Sequence, residues 1–170
     1  MIARALFLAG SSTVLAAPAV TPLTAAPSSA PASQCSPGET VVYTCGFGKS
    51  VGSVCSGGGK LHYRYGPLGK PDIAIASTSD WSNVSRKVVV GGGGGSQPYL
   101  RFTRADYSYV VFWGTAGNLT VRPGRLWSGI HVRRGDKDLA TLSCRSGAHP
   151  VGRIPDAVPE DTDVSFDRWY

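Results

Sequence analysis

The stretch Gly48-Lys-Ser50 is the first place where residue type and spacing suggest chemistry, because a phosphate-binding loop ends in the same three residues. Such a loop needs a glycine five residues before Gly48 and a helix after the serine. Tyr43 occupies the glycine position, and the residues after Ser50 have the composition of a strand. Without a helix N-terminus to hold the phosphate, the sequence predicts a hairpin turn here, and we expect no nucleotide partner.

Other catalytic patterns are incomplete. A serine nucleophile elbow requires Gly-x-Ser-x-Gly, whereas Gly94-Gly-Ser96-Gln-Pro98 ends in proline. The aspartates of the central region fall at predicted strand ends and turns, and not as the facing pair that a glycosidase needs. The histidines are scattered and no Cys-x-x-Cys pair occurs, which disfavours a zinc site. We therefore predict a non-enzymatic protein with no catalytic residues, no metal and no cofactor.

Four cysteines follow an N-terminal segment that is typical of export. Residues 1–19 combine a short basic start with an apolar run and small residues, as signal peptides do, and no later stretch is long enough to span a membrane. An even number of cysteines in an oxidising compartment predicts two disulfides. The sequence thus predicts a secreted or periplasmic protein without a transmembrane segment after signal cleavage.

The cysteine pairing is constrained by the hairpin but not fixed by it. If Cys45 lies opposite Ser50, Thr40 faces Cys55 and Cys35 lies beyond the same end, which favours Cys35–Cys55 and leaves Cys45–Cys144. A simple even-stranded barrel would instead bring Cys144 towards Cys35. Both arrangements stay open at this point.

Short β-branched and aromatic runs recur along the central region, separated by Gly, Pro and Asp turn residues. They predict strands near 39–45, 50–55, 60–65, 72–76, 86–90, 99–103, 107–113, 129–133 and 139–144. This pattern indicates an all-β protein, an antiparallel meander that closes into a small barrel of about eight or nine strands. We expect a Pro/Ala/Ser-rich linker over 20–34, the barrel domain over 35–145 and an acidic, aromatic-ended tail over 146–170.

The charge distribution suggests an anionic ligand. Residues 35–145 contain 14 Lys/Arg and 6 Asp/Glu, a net charge of +8, whereas the tail has a net charge of −3 and could fold back over the basic domain. Strand alternation places five basic residues on polar faces, namely His62, Arg64, Arg101, His131 and Arg133. If their strands are neighbours, these residues form a basic stripe for an anionic envelope glycan. Nucleic acid is not expected, because the strand aromatics point inward.

Three stretches resemble the small exported inhibitors of c-type lysozyme made by bacteria: "YTCGFGKS", the strand meander and the terminal "DLATLSC". The resemblance implies an eight-stranded barrel, a Cys45–Cys144 bridge and a protein partner. The inhibitory loop of that family carries Ser-Gly-x-x-Tyr. Gly95-Ser-Gln-Pro-Tyr99 is the nearest stretch here, with the first two residues reversed. Tyr63-Arg-Tyr-Gly66 is also similar to a strand of small exported proteins that have no assigned role.

Together these observations predict an exported, non-enzymatic binding protein of the bacterial envelope, possessing two disulfides. The candidate binding residues are Gly95, Ser96 and Tyr99 in a loop and Arg64, Arg101 and Arg133 on a basic face. Three functional alternatives remain: a lysozyme-inhibitor-like role, a structural or accessory role in the envelope, and binding of an anionic glycan or lipopolysaccharide.

Overall fold

The computed structural model of the protein describes residues 32–146 and 152–166. The predicted signal peptide, most of the predicted linker and the end of the tail, with Trp169 and Tyr170, lie outside the described residues. Within the described part no helix is long and apolar enough to cross a membrane.

In the described part of the chain nine strands form two antiparallel sheets, and within each sheet the strands that are adjacent in sequence pair with each other. The four-stranded sheet contains β1 (Thr40–Gly46), β2 (Val51–Gly57), β3 (Lys60–Gly66) and β4 (Ile73–Ala76). The five-stranded sheet contains β5 (Val84–Val90), β6 (Ser96–Arg104), β7 (Tyr107–Thr115), β8 (Leu126–Arg134) and β9 (Lys137–Ser143). The all-β prediction is confirmed, and the most apolar strand, β7, is central in its sheet.

The two sheets face each other across a core of aromatic and aliphatic side chains. Tyr43 of β1 stacks on Trp113 of β7 with ring centroids 5.9 Å apart, and Tyr63 of β3 stacks on Phe102 of β6 at 5.5 Å. Leu61 and Ile130 are fully buried in the same core. The inward-facing residues are therefore those that strand alternation selects.

The closed barrel expected from the sequence is wrong, because no ladder of hydrogen bonds joins the two sheets in the described part of the chain. β4 has only four residues, and the connection 77–83 carries the chain across to β5, with Trp81 packed against the core. On the other side, the described residues form one isolated bridge, in which the Gly46 amide donates to Ser146 O at 2.7 Å and the Arg145 amide donates to Gly46 O at 3.0 Å. The molecule is thus an open sandwich.

Two disulfides are present, Cys35–Cys55 and Cys45–Cys144. The hairpin register expected from the sequence is wrong by one to two residues, since Cys55 pairs with Val41 and Cys45 pairs with Gly52. The shift arises from a four-residue turn, closed by the Phe47 amide donating to Ser50 O, and from a bulge between Val41 and Tyr43. The Cys45–Cys144 bridge joins the two sheets.

Terminal segments cover the outer faces of both sheets. Gln34, the last residue of the predicted linker, is buried on the four-stranded sheet, where its backbone amide donates to Ser53 Oγ at 3.0 Å. The described tail runs beside β5, where the Asp161 amide donates to Arg86 O at 2.7 Å, and then crosses the five-stranded sheet to the buried Phe166. Both segments fill surfaces that water would otherwise cover.

Candidate functional site

The stretch Gly95–Tyr99 is not a loop, contrary to the sequence expectation. The glycine run is taken up by a short 3₁₀ turn at Gly92–Gly94, and β6 begins at Ser96. Tyr99 pairs with Lys87 of β5 and Phe112 of β7, and its side chain is fully buried. Gly95 is buried and Ser96 is half-buried. This stretch therefore presents no exposed tyrosine to a partner.

The expected basic stripe is divided between the two sheets. Arg64 and His62 lie on the outer side of β3, in the four-stranded sheet, whereas Arg101, His131 and Arg133 lie on the outer side of β6 and β8. Because the sheets are stacked face to face, their outer sides point in opposite directions. The structure brings Arg101 and Arg133 together and leaves Arg64 on the far side.

Arg64 is held by Glu39 in a two-point ion pair. Arg64 Nη1 donates to Glu39 Oε2 at 2.5 Å, and Nη2 donates to Oε1 at 2.9 Å. The hydrogen bonds from Arg64 lower the pKa of Glu39 to about 2. This pair fastens the N-terminal segment to the sheet beside the Cys35–Cys55 bridge, so Arg64 has a structural partner already.

Glu39 also lies close to the sulfurs of Cys35 and Cys55, a grouping with the spacing of a metal site. The two sulfurs are joined in a disulfide. A disulfide sulfur has no thiolate charge to offer a metal ion, and the Glu39 carboxylate is already paired with Arg64. The grouping is therefore explained by the bridge and the ion pair.

Arg101 and Arg133 are covered by acidic groups. Arg101 Nε donates to Asp161 Oδ2 at 2.7 Å and its Nη1 lies 3.0 Å from Asp163 Oδ2, both in the tail. Arg133 Nε donates to Asp138 Oδ1 of β9 at 2.8 Å. Burial alone would raise the pKa of Asp163, but hydrogen bonds from Ser165 and the charges of Arg101 and Arg133 outweigh it and lower that pKa.

An aromatic cluster completes this cover. The Phe166 ring packs edge-on against Tyr99 with centroids 5.2 Å apart, and it also contacts Phe112 and His131. Arg101 and Arg133 are each less than a tenth exposed. The outer side of the five-stranded sheet around Arg101 and Arg133 therefore binds the protein's own tail. An external ligand has no access to these two arginines in this conformation.

A different surface is exposed and basic, and we call it the tip. It consists of the β5–β6 connection (91–95), the β7–β8 connection (116–125) and the flanking residues Val90 and Leu126. The strand registers place these connections at the same end of the five-stranded sheet, since Ser96 pairs with both Val90 and Thr115, and Thr115 pairs with Leu126.

The tip exposes aliphatic side chains to an unusual degree. Leu119 is 88% exposed and Val121 is 101% exposed, with Val90 at 76% and Leu126 at 48%. Isolated exposed aliphatic residues are ordinary, but several at one end of a small domain mark an interaction surface. Arg122 and Arg125 are exposed in the same connection, and neither forms an ion pair with any described residue.

The two connections of the tip are packed together. The Leu119 amide donates to Gly93 O of the other connection at 3.2 Å, and within the connection 116–125 the Ala116 amide donates to Arg125 O at 2.8 Å. Gly117 lies so close that a β-carbon built on it would be 1.9 Å from Gly93 O. Beneath them is a cavity of about 220 Å³ lined by glycine backbone and Trp127, whose Nε1 donates to Gln97 Oε1 at 2.7 Å. Hydrogen bonds and close backbone packing therefore hold the two connections of the tip in a defined arrangement.

The two connections of the tip contain two arginines and no acidic residue. Between Asp80 and Asp136 the sequence has one acidic residue, Asp106, and that residue lies in the β6–β7 turn at the opposite end of the sheet. The same region has eight basic residues: Arg86, Lys87, Arg101, Arg104, Arg122, Arg125, Arg133 and Arg134. An anionic partner meets no acidic group in either connection of the tip.

Of the residues of the tip, only Gly95 was among the predicted binding residues. The Gly, Asn and Pro residues of the segment 116–125 are typical of a connection between strands. Turn formation does not explain the aliphatic residues Leu119 and Val121 in the same segment. The sequence signal that could have indicated an interaction surface here is the presence of aliphatic residues beside two arginines in a turn-rich stretch.

Comparison of the chain with protein-family models, with curated proteins and with solved structures gives no match in any of the three.

Proposed function

We propose that this chain is an exported, non-enzymatic binding protein that attaches to anionic surfaces or polymers of the bacterial envelope through its tip. The observation that carries the proposal is the exposure of Arg122 and Arg125, unpaired with any described residue, within connections that contain no acidic residue. Each of the three predicted binding arginines is paired with a carboxylate, whereas the two tip arginines form no ion pair with a described residue. The two disulfides suit an oxidising compartment outside the cytoplasm.

This proposal differs from an inhibitor-like role in the surface that it uses. Such a role would depend on Tyr99, which is buried under Phe166. Lysozymes of the c-type are also basic, and the domain has a net charge of +8 over residues 35–145. The charge therefore favours an acidic partner.

Retention on immobilised heparin and on lipopolysaccharide, measured as a function of salt concentration, tests the proposal. We expect retention at low salt that weakens steeply as salt rises, because screening shortens the reach of surface charges. The variant Arg122→Ala/Arg125→Ala should elute at distinctly lower salt.

The matched control removes two positive charges from the opposite end of the same sheet, in Arg104→Ala/Lys137→Ala. Both residues are exposed, and the net charge of the control equals that of the tip variant. An equal loss of retention in the two variants would show that overall charge is responsible. No retention of the native protein on either matrix would reject the proposal.

A further inference from the structure

We propose that the target of the tip is the surface of an anionic phospholipid bilayer, into which Leu119 and Val121 insert while Arg122 and Arg125 contact the lipid phosphates. This inference rests on the proposed function and names the partner of the same surface. It follows from the combination of apolar and basic groups at the tip, which a soluble polyanion does not require.

The apolar part of the tip distinguishes a bilayer from a soluble anionic polymer. Leu119 and Val121 are almost completely exposed in the connection 116–125. Binding to a glycan leaves such side chains in water, and they then contribute nothing to affinity. At a bilayer surface the same side chains transfer into the acyl region, which is the driving force of interfacial binding.

The basic part of the tip is positioned for lipid headgroups. Arg122 follows directly on Val121, and Arg125 directly precedes Leu126, which is itself about half exposed. An arginine next to an inserted aliphatic residue can extend along the apolar boundary and place its guanidinium group at the phosphates. Because the tip contains no acidic residue, the negative potential of the bilayer attracts it without local repulsion.

The rigidity of the tip reduces the cost of binding. The Leu119 amide, which donates to Gly93 O, holds the connection 116–125 against its neighbour, and the Ala116 amide, which donates to Arg125 O, closes the base of that connection. Gly117 packs so closely on the neighbouring connection that a β-carbon there would lie 1.9 Å from Gly93 O. The aliphatic side chains are therefore presented before contact, so less loop ordering has to accompany insertion.

Sedimentation of the full-length chain with two kinds of vesicle tests the inference. One kind is pure phosphatidylcholine and the other contains phosphatidylglycerol in phosphatidylcholine. We expect binding to the phosphatidylglycerol vesicles and at most weak binding to the neutral ones. Leu119→Gln/Val121→Gln keeps every charge and should weaken vesicle binding by roughly tenfold or more. Each substitution removes the favourable free energy of transferring an aliphatic side chain from water into the bilayer.

The control variant replaces two aliphatic residues that are exposed elsewhere, in Leu68→Gln/Val164→Gln. These residues are 56% and 69% exposed, and neither belongs to the tip. We expect this variant to bind phosphatidylglycerol vesicles as the native chain does. All four substituted positions face solvent, so the variants should fold, and circular dichroism with thermal melting checks this.

The outcomes separate this inference from the proposed function. Heparin retention that depends on Arg122 and Arg125, together with vesicle binding that is indifferent to Leu119 and Val121, would overturn the bilayer inference alone. Heparin retention without any vesicle binding would also overturn it and would indicate a soluble glycan or an acidic protein. Failure to bind heparin, lipopolysaccharide and vesicles would reject both.

Discussion

The Arg101–Asp161 ion pair lies almost entirely out of contact with water. Both side chains are 5% exposed, and the guanidinium group also faces Asp163 of the same tail. In such surroundings a charge is tolerated because its partner is present, and it becomes costly once the partner is removed. These residues therefore act in attaching the tail to the five-stranded sheet.

A double-mutant cycle on this pair measures that attachment. Arg101→Met or Asp161→Asn alone should lower the free energy of unfolding by about 3–5 kcal/mol, because each leaves a buried charge without its main partner. The double variant should lose less than the sum of the two. Urea unfolding followed by tryptophan fluorescence gives the three values.

The exposed pair Arg134–Asp106 is the control, with side chains that are 59% and 50% exposed and atoms 2.6 Å apart. The same type of cycle there should give a much smaller coupling, because solvent screens an exposed ion pair. A coupling at Arg101–Asp161 as small as that of the exposed pair would contradict a structural role for the tail contact.

At the scale of elements, periodicity predicts strands well and predicts their partners poorly. Leu61 and Tyr63 face the core on β3, and Leu100 and Phe102 do so on β6, as their alternation indicates. Alternation cannot report whether β4 pairs with β5, because that depends on the path of 77–83 and on the packing of Trp81. The nine strands were therefore predicted correctly, whereas two expected pairings, β4 with β5 and β9 with β1, do not form in the described part of the chain.

The same limit applies to the candidate site. Arg101 and Arg133 were correctly assigned to solvent-side positions of β6 and β8, yet the tail that covers them is distant in sequence. Nothing periodic marks Asp161 or Phe166 as their partners. The Gly95–Tyr99 stretch was assigned to a loop because it begins at the end of a run of five glycines, although its register with β5 and β7 depends on side-chain packing that composition does not report.

The packing of the two tip connections can be tested with a pair of glycine substitutions. Gly117→Ala places a methyl group against the backbone of Gly93 and Gly94, so the connections must separate. We expect a loss of about 1–3 kcal/mol in unfolding free energy, typical of an overpacked site. Differential scanning calorimetry together with vesicle sedimentation would follow stability and tip function in parallel.

Gly92→Ala provides the comparison, since a β-carbon at Gly92 meets nothing within 4 Å. Its effect should stay within about 0.5 kcal/mol, as for most surface substitutions. If Gly117→Ala is equally harmless, the two connections are not held together as the structure indicates.

At the scale of the whole molecule, two sheets without a shared ladder are joined by their core, by the terminal segments and by one covalent link. Cys45–Cys144 spans 99 residues and connects β1 to the end of β9, whereas Cys35–Cys55 spans 20 residues and holds the N-terminal segment on its own sheet. The two bridges therefore restrict the unfolded chain to very different extents.

Replacing each cysteine pair by alanine should show which bridge contributes more to the free energy of unfolding. In the chain-entropy model, losing Cys45–Cys144 costs about 4.7 kcal/mol and losing Cys35–Cys55 costs about 3 kcal/mol. Chemical denaturation of the two double variants measures the difference. A larger loss for Cys35→Ala/Cys55→Ala would show that the N-terminal segment contributes more than the link between the sheets.

The order of the cysteines along the chain gives these bridges a further consequence. The first cysteine is bonded to the third and the second to the fourth, so the two covalent loops interleave and neither bridge joins consecutive cysteines. A chain synthesised from its N-terminus presents Cys35, Cys45 and Cys55 long before Cys144. Cys45 can therefore form its native bond only after Cys144 has been synthesised, so the covalent link between the sheets forms only when all nine strands are present.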